Sequence, residues 1–92
     1  MTRFTNHLAL NRTTTTSSAE TVTDRSNVAP LKWFTFVVNY DAYIGINADA
    51  DTNSMKLLAG ESYTSPETVR VVKISILRAT SNNVTLRGSA WY

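Results

Sequence analysis

Residues 43–61 read YIGINADADTNSMKLLAGE. Tyr43-Ile44-Gly45-Ile46-Asn47-Ala48 is strand-like, with Ile44 and Ile46 on one side and Tyr43, Gly45 and Asn47 on the other. A glycine inside a strand marks a bulge or a close backbone approach. Asp49 to Ser54 is a polar loop, and Met55-Lys56-Leu57-Leu58 returns as a short strand. Ala59-Gly60-Glu61-Ser62 reads as a turn in which Gly60 takes positive φ. Strand, loop, strand and turn leave no room for a helix, so this span predicts a small all-β domain.

The flanks repeat the pattern. Leu31 to Asn39, LKWFTFVVN, is rich in aromatic and β-branched residues and too short for an ordinary helix. Phe34, Phe36 and Val38 share one face, and Trp33, Thr35 and Val37 the other. Both faces are largely apolar, which predicts a strand covered on both sides, with Trp33 and Phe34 in the core. Asn39 to Ala42 reads as a turn. Tyr63-Thr64-Ser65 is extended and Pro66 interrupts it. Thr68 to Ala79 is a long strand, because its β-branched residues disfavour a helix. Thr80 to Asn83 reads as a hairpin loop, and Val84 to Trp91 returns with Val84 and Leu86 inward. Strands at this spacing, separated by turn signals, predict a small β-sandwich or jelly-roll-like barrel.

Residues 1–30 differ from residues 31–92. They are threonine-rich, with the low-complexity run Thr13-Thr14-Thr15-Thr16-Ser17-Ser18, and large apolar side chains are sparse. Such a segment buries little surface by itself, although threonine favours extended backbone. The reading is a β domain over 31–92 preceded by an extended N-terminal arm over 1–30, mobile in isolation and ordered on a partner. Fully extended, the arm reaches about 100 Å. Within it, Ala19 to Asp24 can pair as an edge strand, and Pro30 closes the segment.

Ninety-two residues allow one domain. A chain this short has a small core and calls for a disulfide, a metal or a partner subunit. Cysteine is absent and His7 is the single histidine, which excludes thiol chemistry and an intrachain His-His metal site. Homo-oligomerisation is therefore expected. The net charge is +2 with basic residues scattered, so no polybasic footprint for nucleic acid or membrane appears. The apolar run Leu8-Ala9-Leu10 is too short for a signal segment or a membrane span. The sequons at Asn11 and Asn83 are then chance matches. Absent cysteine also fits manufacture in a reducing cytosol.

The segment V-N-Y-D-A-Y-I-G-I-N, a polar loop, L-L-A-G-E-S-Y-T, a β-branched strand and a final V-x-L-x-G-x-x-W together span Val38 to Trp91. This pattern resembles small accessory virion proteins of tailed bacteriophages, which carry a similar "N-x-x-x-x-Y-I-G … L-x-A-G-E-S" signature. Here it falls on Val38, Asn39, Tyr43, Ile44, Gly45 and Leu57 to Ser62. The resemblance implies a compact β-sandwich or jelly roll that assembles on capsids, necks or tails. It also implies a structural, non-catalytic role in a virion assembled in the host cytoplasm. The threonine-rich arm lies outside the signature.

Candidate chemistry is thin. Asn47, Asp49, Asp51 and Asn53 alternate, and oxygen side chains at this spacing can converge on Ca²⁺. The EF-hand pattern fails, however, because Ser54 stands where its glycine belongs and Gly60 where its bidentate glutamate belongs. The plainer reading is a solvated loop. Asp49 and Asp51 as an acid–base pair would need a cleft that so small a fold gives little reason to expect. No G-x-S-x-G turn or second histidine supports a nucleophile. The expectation is a non-enzyme with no catalytic, cofactor or metal residues. The candidate interface residues are Phe4, Leu8, Leu10 and Val22 of the arm, with Trp91 and Tyr92 at the end. The expected function is a capsid decoration or cement protein bound to the major capsid protein or another virion protein. Alternatives are a neck or tail component and, from a different class, a glycan-binding surface module.

Overall fold

In the computed structural model, residues 6–66 and 69–92 are described. They form eight strands: β1 (His7–Thr13), β2 (Glu20–Asp24), β3 (Trp33–Val38), β4 (Ala42–Ile46), β5 (Met55–Leu57), β6 (Ser62–Thr64), β7 (Lys73–Arg78) and β8 (Thr85–Trp91). The described residues contain no helix. The strands make two four-stranded antiparallel sheets, a first in the order β1-β8-β3-β6 and a second in the order β2-β7-β4-β5.

The pairing is nested. β1 pairs with β8, β2 with β7, β3 with β6 and β4 with β5. The chain is thus one long antiparallel hairpin that reverses between β4 and β5. Two further ladders, β3–β8 and β4–β7, roll this hairpin into two sheets. Every connection except β4 to β5 crosses from one sheet to the other. This is the jelly-roll topology of eight strands and two Greek keys, so the all-β sandwich expected from the strand pattern is the observed fold.

Alternation builds the interior. Phe34, Phe36 and Val38 of β3 and Leu86 and Ala90 of β8 point inward from the first sheet. From the second come Ala42, Ile44, Ile74 and Ile76, and all are buried in one cluster. The Phe34 and Phe36 rings stack with centroids 5.9 Å apart, and Tyr63 packs against both. Each buried Val, Leu, Ile or Phe among them contributes about 1.5–3 kcal/mol by leaving water.

Three expectations are corrected. β3 is covered on one face only: Trp33 and Thr35 are half-buried and Val37 is exposed. Trp33 is therefore not a core residue, although Phe34 is. Residues 80–83 are not a hairpin loop, because β7 and β8 lie in different sheets. The strand expected over 68–79 is regular only over β7. Val71 is buried before it and forms an isolated bridge with Leu31. Thr68 lies outside the described residues.

The separate arm is also corrected. β1 runs beside β8 from His7↔Trp91 to Thr13↔Thr85, and β2 is the edge strand of the second sheet. Leu10 is 3% exposed and belongs to the core, while Leu8 and Val22 pack against it. The threonine run is held by hydrogen bonds rather than by apolar burial. Thr14 is fully buried; its N–H donates to the Val84 carbonyl (2.8 Å), and the Val84 N–H donates to Thr14 Oγ1 (2.9 Å). The Thr15 and Thr16 N–H groups donate to Glu20 Oε2 at 2.8 and 3.1 Å. Arg12 Nη2 donates to Glu20 Oε1 at 2.7 Å. A sparse apolar row, Leu8 and Leu10, suffices because the connection to β2 satisfies its own backbone in this way.

Burial of the Glu20 carboxylate opposes its charge, but the bonds from Thr15, Arg12 and Thr16 outweigh it and hold the pKa below the ordinary 4.5. A carboxylate with a lowered folded-state pKa stabilises the fold above its unfolded value and loses that contribution as pH falls through the folded one. Glu20→Gln is expected to lower stability at neutral pH by about 1–3 kcal/mol. It should also flatten the decline of stability below the ordinary glutamate value. Urea titrations of both proteins at neutral and acid pH check this; parallel pH profiles contradict it.

A second prediction concerns the β3–β8 contact. A Cβ built on Gly88 would overlap the Thr35 carbonyl oxygen and lie 2.6 Å from Phe36 Cα. Both obstacles are backbone and cannot swing aside. Gly88→Ala should therefore destabilise by about 1–3 kcal/mol, read as a lower urea midpoint.

Candidate docking face

The outer face of the first sheet follows from the register. Its rows are His7, Trp91 and Trp33; then Ala9, Ser89, Thr35 and Thr64; then Asn11, Arg87, Val37 and Ser62; then Thr13 and Thr85. Arg87 carries the one formal charge among these outward positions. Cross-strand hydroxyl pairs, each at 2.9 Å, link Thr35 with Thr64 in the second row and Thr13 with Thr85 in the last. Apart from the tryptophans and Arg87, its side chains are mostly small and neutral.

One end is aromatic. The Trp33 and Trp91 rings lie 4.7 Å apart and tilted by 53°, and His7 lies 5.2 Å from Trp91 on its other side. Three adjacent strands place these rings in one row. Beyond them, the Arg25 guanidinium sits 3.8 Å over the Tyr92 ring.

The other end holds a depression of about 420 Å³ lined by Val37, Val38, Asn39, Gly60, Thr85 and Arg87. Asn39 fixes one wall: its N–H donates to the Thr85 carbonyl, and its Oδ1 accepts the Thr85 N–H at 2.7 Å. The β5–β6 turn forms the other. Gly60 has φ +84° and donates its N–H to the Val38 carbonyl, while Glu61 Oε1 accepts the Leu58 N–H at 2.6 Å. Val37, Tyr40 and Leu58 are exposed apolar side chains on these segments. Asn39 thus shapes one wall of the depression, and Gly60 and Glu61 shape the turn that forms the other.

The Asn47 to Asn53 loop lies over the second sheet. Gly45 admits it: a Cβ there would stand 2.5 Å from the Ala48 carbonyl oxygen and 2.6 Å from Ser75 Oγ. Buried Ser75 accepts the Ala50 N–H and donates to the Ala48 carbonyl. The close approach expected at this glycine is the observed one. The loop oxygens do not converge. Asn47, at φ +58°, accepts the Val72 N–H, Asp49 pairs with Lys73, and Asp51 accepts from Asn53 N–H and the Ser54 hydroxyl. Among the described residues no three His, Asp or Glu side chains gather.

Of the residues singled out from sequence, Trp91 lies on the docking face. Tyr92 packs partly against the core under Arg25, as do Leu8 and Val22 from their strands. Leu10 is removed from any surface, and Phe4 lies outside the described residues. Sequence reasoning missed Trp33 and His7. The alternation in LKWFTFVVN separates Trp33 from Phe34, and that was the available signal. His7 needed the β1–β8 register.

The tryptophan pair makes a measurable contribution. Replacing Trp33, Trp91 and both by Ala should give a coupling of about 0.5–1.5 kcal/mol in a double-mutant cycle. Additive losses would show that the rings do not interact in solution.

No protein-family model matches the chain, and comparisons with curated proteins and with solved structures return no match.

Proposed function

We propose that the chain is a structural protein of a tailed-phage virion, a capsid decoration or cement protein that docks through the outer face of its first sheet. The observation that carries the docking mode is the charge-poor face running from Trp33 and Trp91 to Val37 and Arg87. Interface centres are depleted of charge and enriched in aromatic residues and arginine. The virion role draws on the resemblance over Val38 to Trp91, and jelly rolls recur among viral capsid proteins. A neck or tail position would use the same face.

The mechanism is mass action. A protein that binds only the assembled shell adds its binding free energy to that shell. Apolar burial contributes ~25 cal/mol per Å² before association costs are subtracted. Residues 7–24 do not act as a lacing arm in this mechanism. They supply Leu10 to the core and Glu20 to the β1–β2 connection, so deleting residues 1–30 would strip an edge strand from each sheet.

The row of Trp33, Trp91 and His7 favours one second reading, a glycan-binding module, because aromatic rings are stacking platforms for sugars. Co-sedimentation with expanded capsids of candidate phages separates the two. Wild-type protein is expected to pellet with shells. Thr35→Lys, which places a charge in the middle of the face without touching the core, should remain in the supernatant while keeping its circular dichroism. Equal pelleting of the variant removes the face from the mechanism, and absence of pelleting for both removes the cement reading. A sugar-dependent quench of tryptophan fluorescence, abolished in Trp33→Ala, would establish the glycan reading instead.

A further inference from the structure

Two open sheets leave four edge strands: β1 and β6 in the first, β2 and β5 in the second. Exposed edges invite pairing with another chain unless they are short, bulged, charged or interrupted by proline. β5 and β6 have 3 residues each. β2 breaks its register between Thr21 and Thr23. β1 is different. It has 7 residues in unbroken register with β8, no proline, and Arg12 as its one charged side chain.

The hydrogen-bond phase of β1 is readable from its flanks. Thr14 donates its N–H to Val84, and Tyr92 donates its N–H to Asn6. Antiparallel ladders alternate between bonded and non-bonded pairs. The even-numbered residues of β1 therefore bond β8, and His7, Ala9, Asn11 and Thr13 aim their N–H and C=O groups at the free edge.

We propose that β1 pairs antiparallel with β1 of a second copy of this chain, about a two-fold axis at Leu10. In that register Ala9 faces Asn11 of the second copy, His7 faces Thr13, and Leu8 faces Arg12. All the outward-aimed N–H and C=O groups of His7, Ala9, Asn11 and Thr13 then lie in bonded pairs. A shift of two residues in either direction strands a bonded pair at one end. No like charges meet, because Arg12 stands opposite leucine. This self-complementarity is the argument for a second copy over an unrelated strand. The contact is isologous and closes at two chains. It fits a small domain that has no cysteine and so no disulfide to support it. The product is one continuous eight-stranded sheet with two docking faces side by side. The pairing rests on the edge geometry and stands apart from the virion reading.

Light scattering and sedimentation of the full chain over a concentration series test it, together with amide hydrogen exchange. A two-chain species is expected. In it the His7 and Asn11 amides are protected at high concentration and exchange freely on dilution, while those of Leu10 and Arg12 are protected in both. Ala9→Pro removes a donor only at the free edge, where proline is tolerated. It should yield a folded monomer with unprotected His7 and Asn11. Three results overturn the proposal: a wild-type monomer throughout, a dimer whose His7 and Asn11 amides exchange freely, or a dimer unchanged by Ala9→Pro. The exchange pattern of the wild type decides the matter by itself if the proline variant does not fold. A wild-type monomer whose β1 edge is protected only by a foreign strand also counts against it.

Discussion

Contact between two rows of apolar side chains holds this molecule together. Phe34, Phe36, Val38, Leu86 and Ala90 come from one sheet, and Ala42, Ile44, Ile74 and Ile76 from the other. With no cysteine in the chain, no covalent link backs this contact. Every strand must deliver its inward residues at the same depth, and a slip of one residue would turn an entire row to water. The nested ladders enforce that alignment, because β8 is paired on both sides, to β1 and to β3. The close passage at Gly88 is where the second ladder is drawn tight.

Around this interior, side chains of small polar residues meet the backbone where the sheets change over. Thr14 and Val84 exchange two hydrogen bonds, and Ser65 Oγ accepts the Phe34 N–H at 3.0 Å. Glu20 gathers the Thr15 and Thr16 N–H groups, and Asn47 bridges to Arg70 and Val72. Among the described residues no buried side-chain nitrogen or oxygen lacks a partner. A jelly roll crosses between its sheets at nearly every connection, so it has many backbone groups to satisfy outside the ladders. Short threonine, serine and asparagine side chains suit that task.

That division explains what was legible in the sequence. The strands around Phe34 and Ile44 announce themselves by alternation, and Gly45 and Gly60 by their type. The connection after Arg78 misled because local turn residues do not say which sheet receives the next strand. The segment from His7 to Asp24 misled more deeply. Its stability comes from partners far along the chain, such as Val84 and Ile76, and from hydrogen bonds that composition does not display. For the docking face, Trp33 could be separated from the core by parity alone, whereas the row it forms with Trp91 and His7 depends on two long-range registers. The loop of alternating Asn and Asp has ligand-like spacing, yet Asn47 Oδ1 accepts the distant Val72 N–H, Asp49 pairs with Lys73, and Asp51 Oδ1 accepts from Asn53 and Ser54.

The pairing of first strand with last also sets an order of events during synthesis. Seventy residues separate Thr14 from Val84. As the chain leaves the ribosome, β4 and β5 can meet early, β3 waits for β6, β2 waits for β7, and β1 waits longest. Leu8 and Leu10 remain wet until β8 has emerged. Closure is therefore a late, slow event governed by distant contacts. A nascent chain stalled before β8 would leave Leu8 and Leu10 without a ladder to hold them and β3 with an open edge, a form suited to chaperones and proteases.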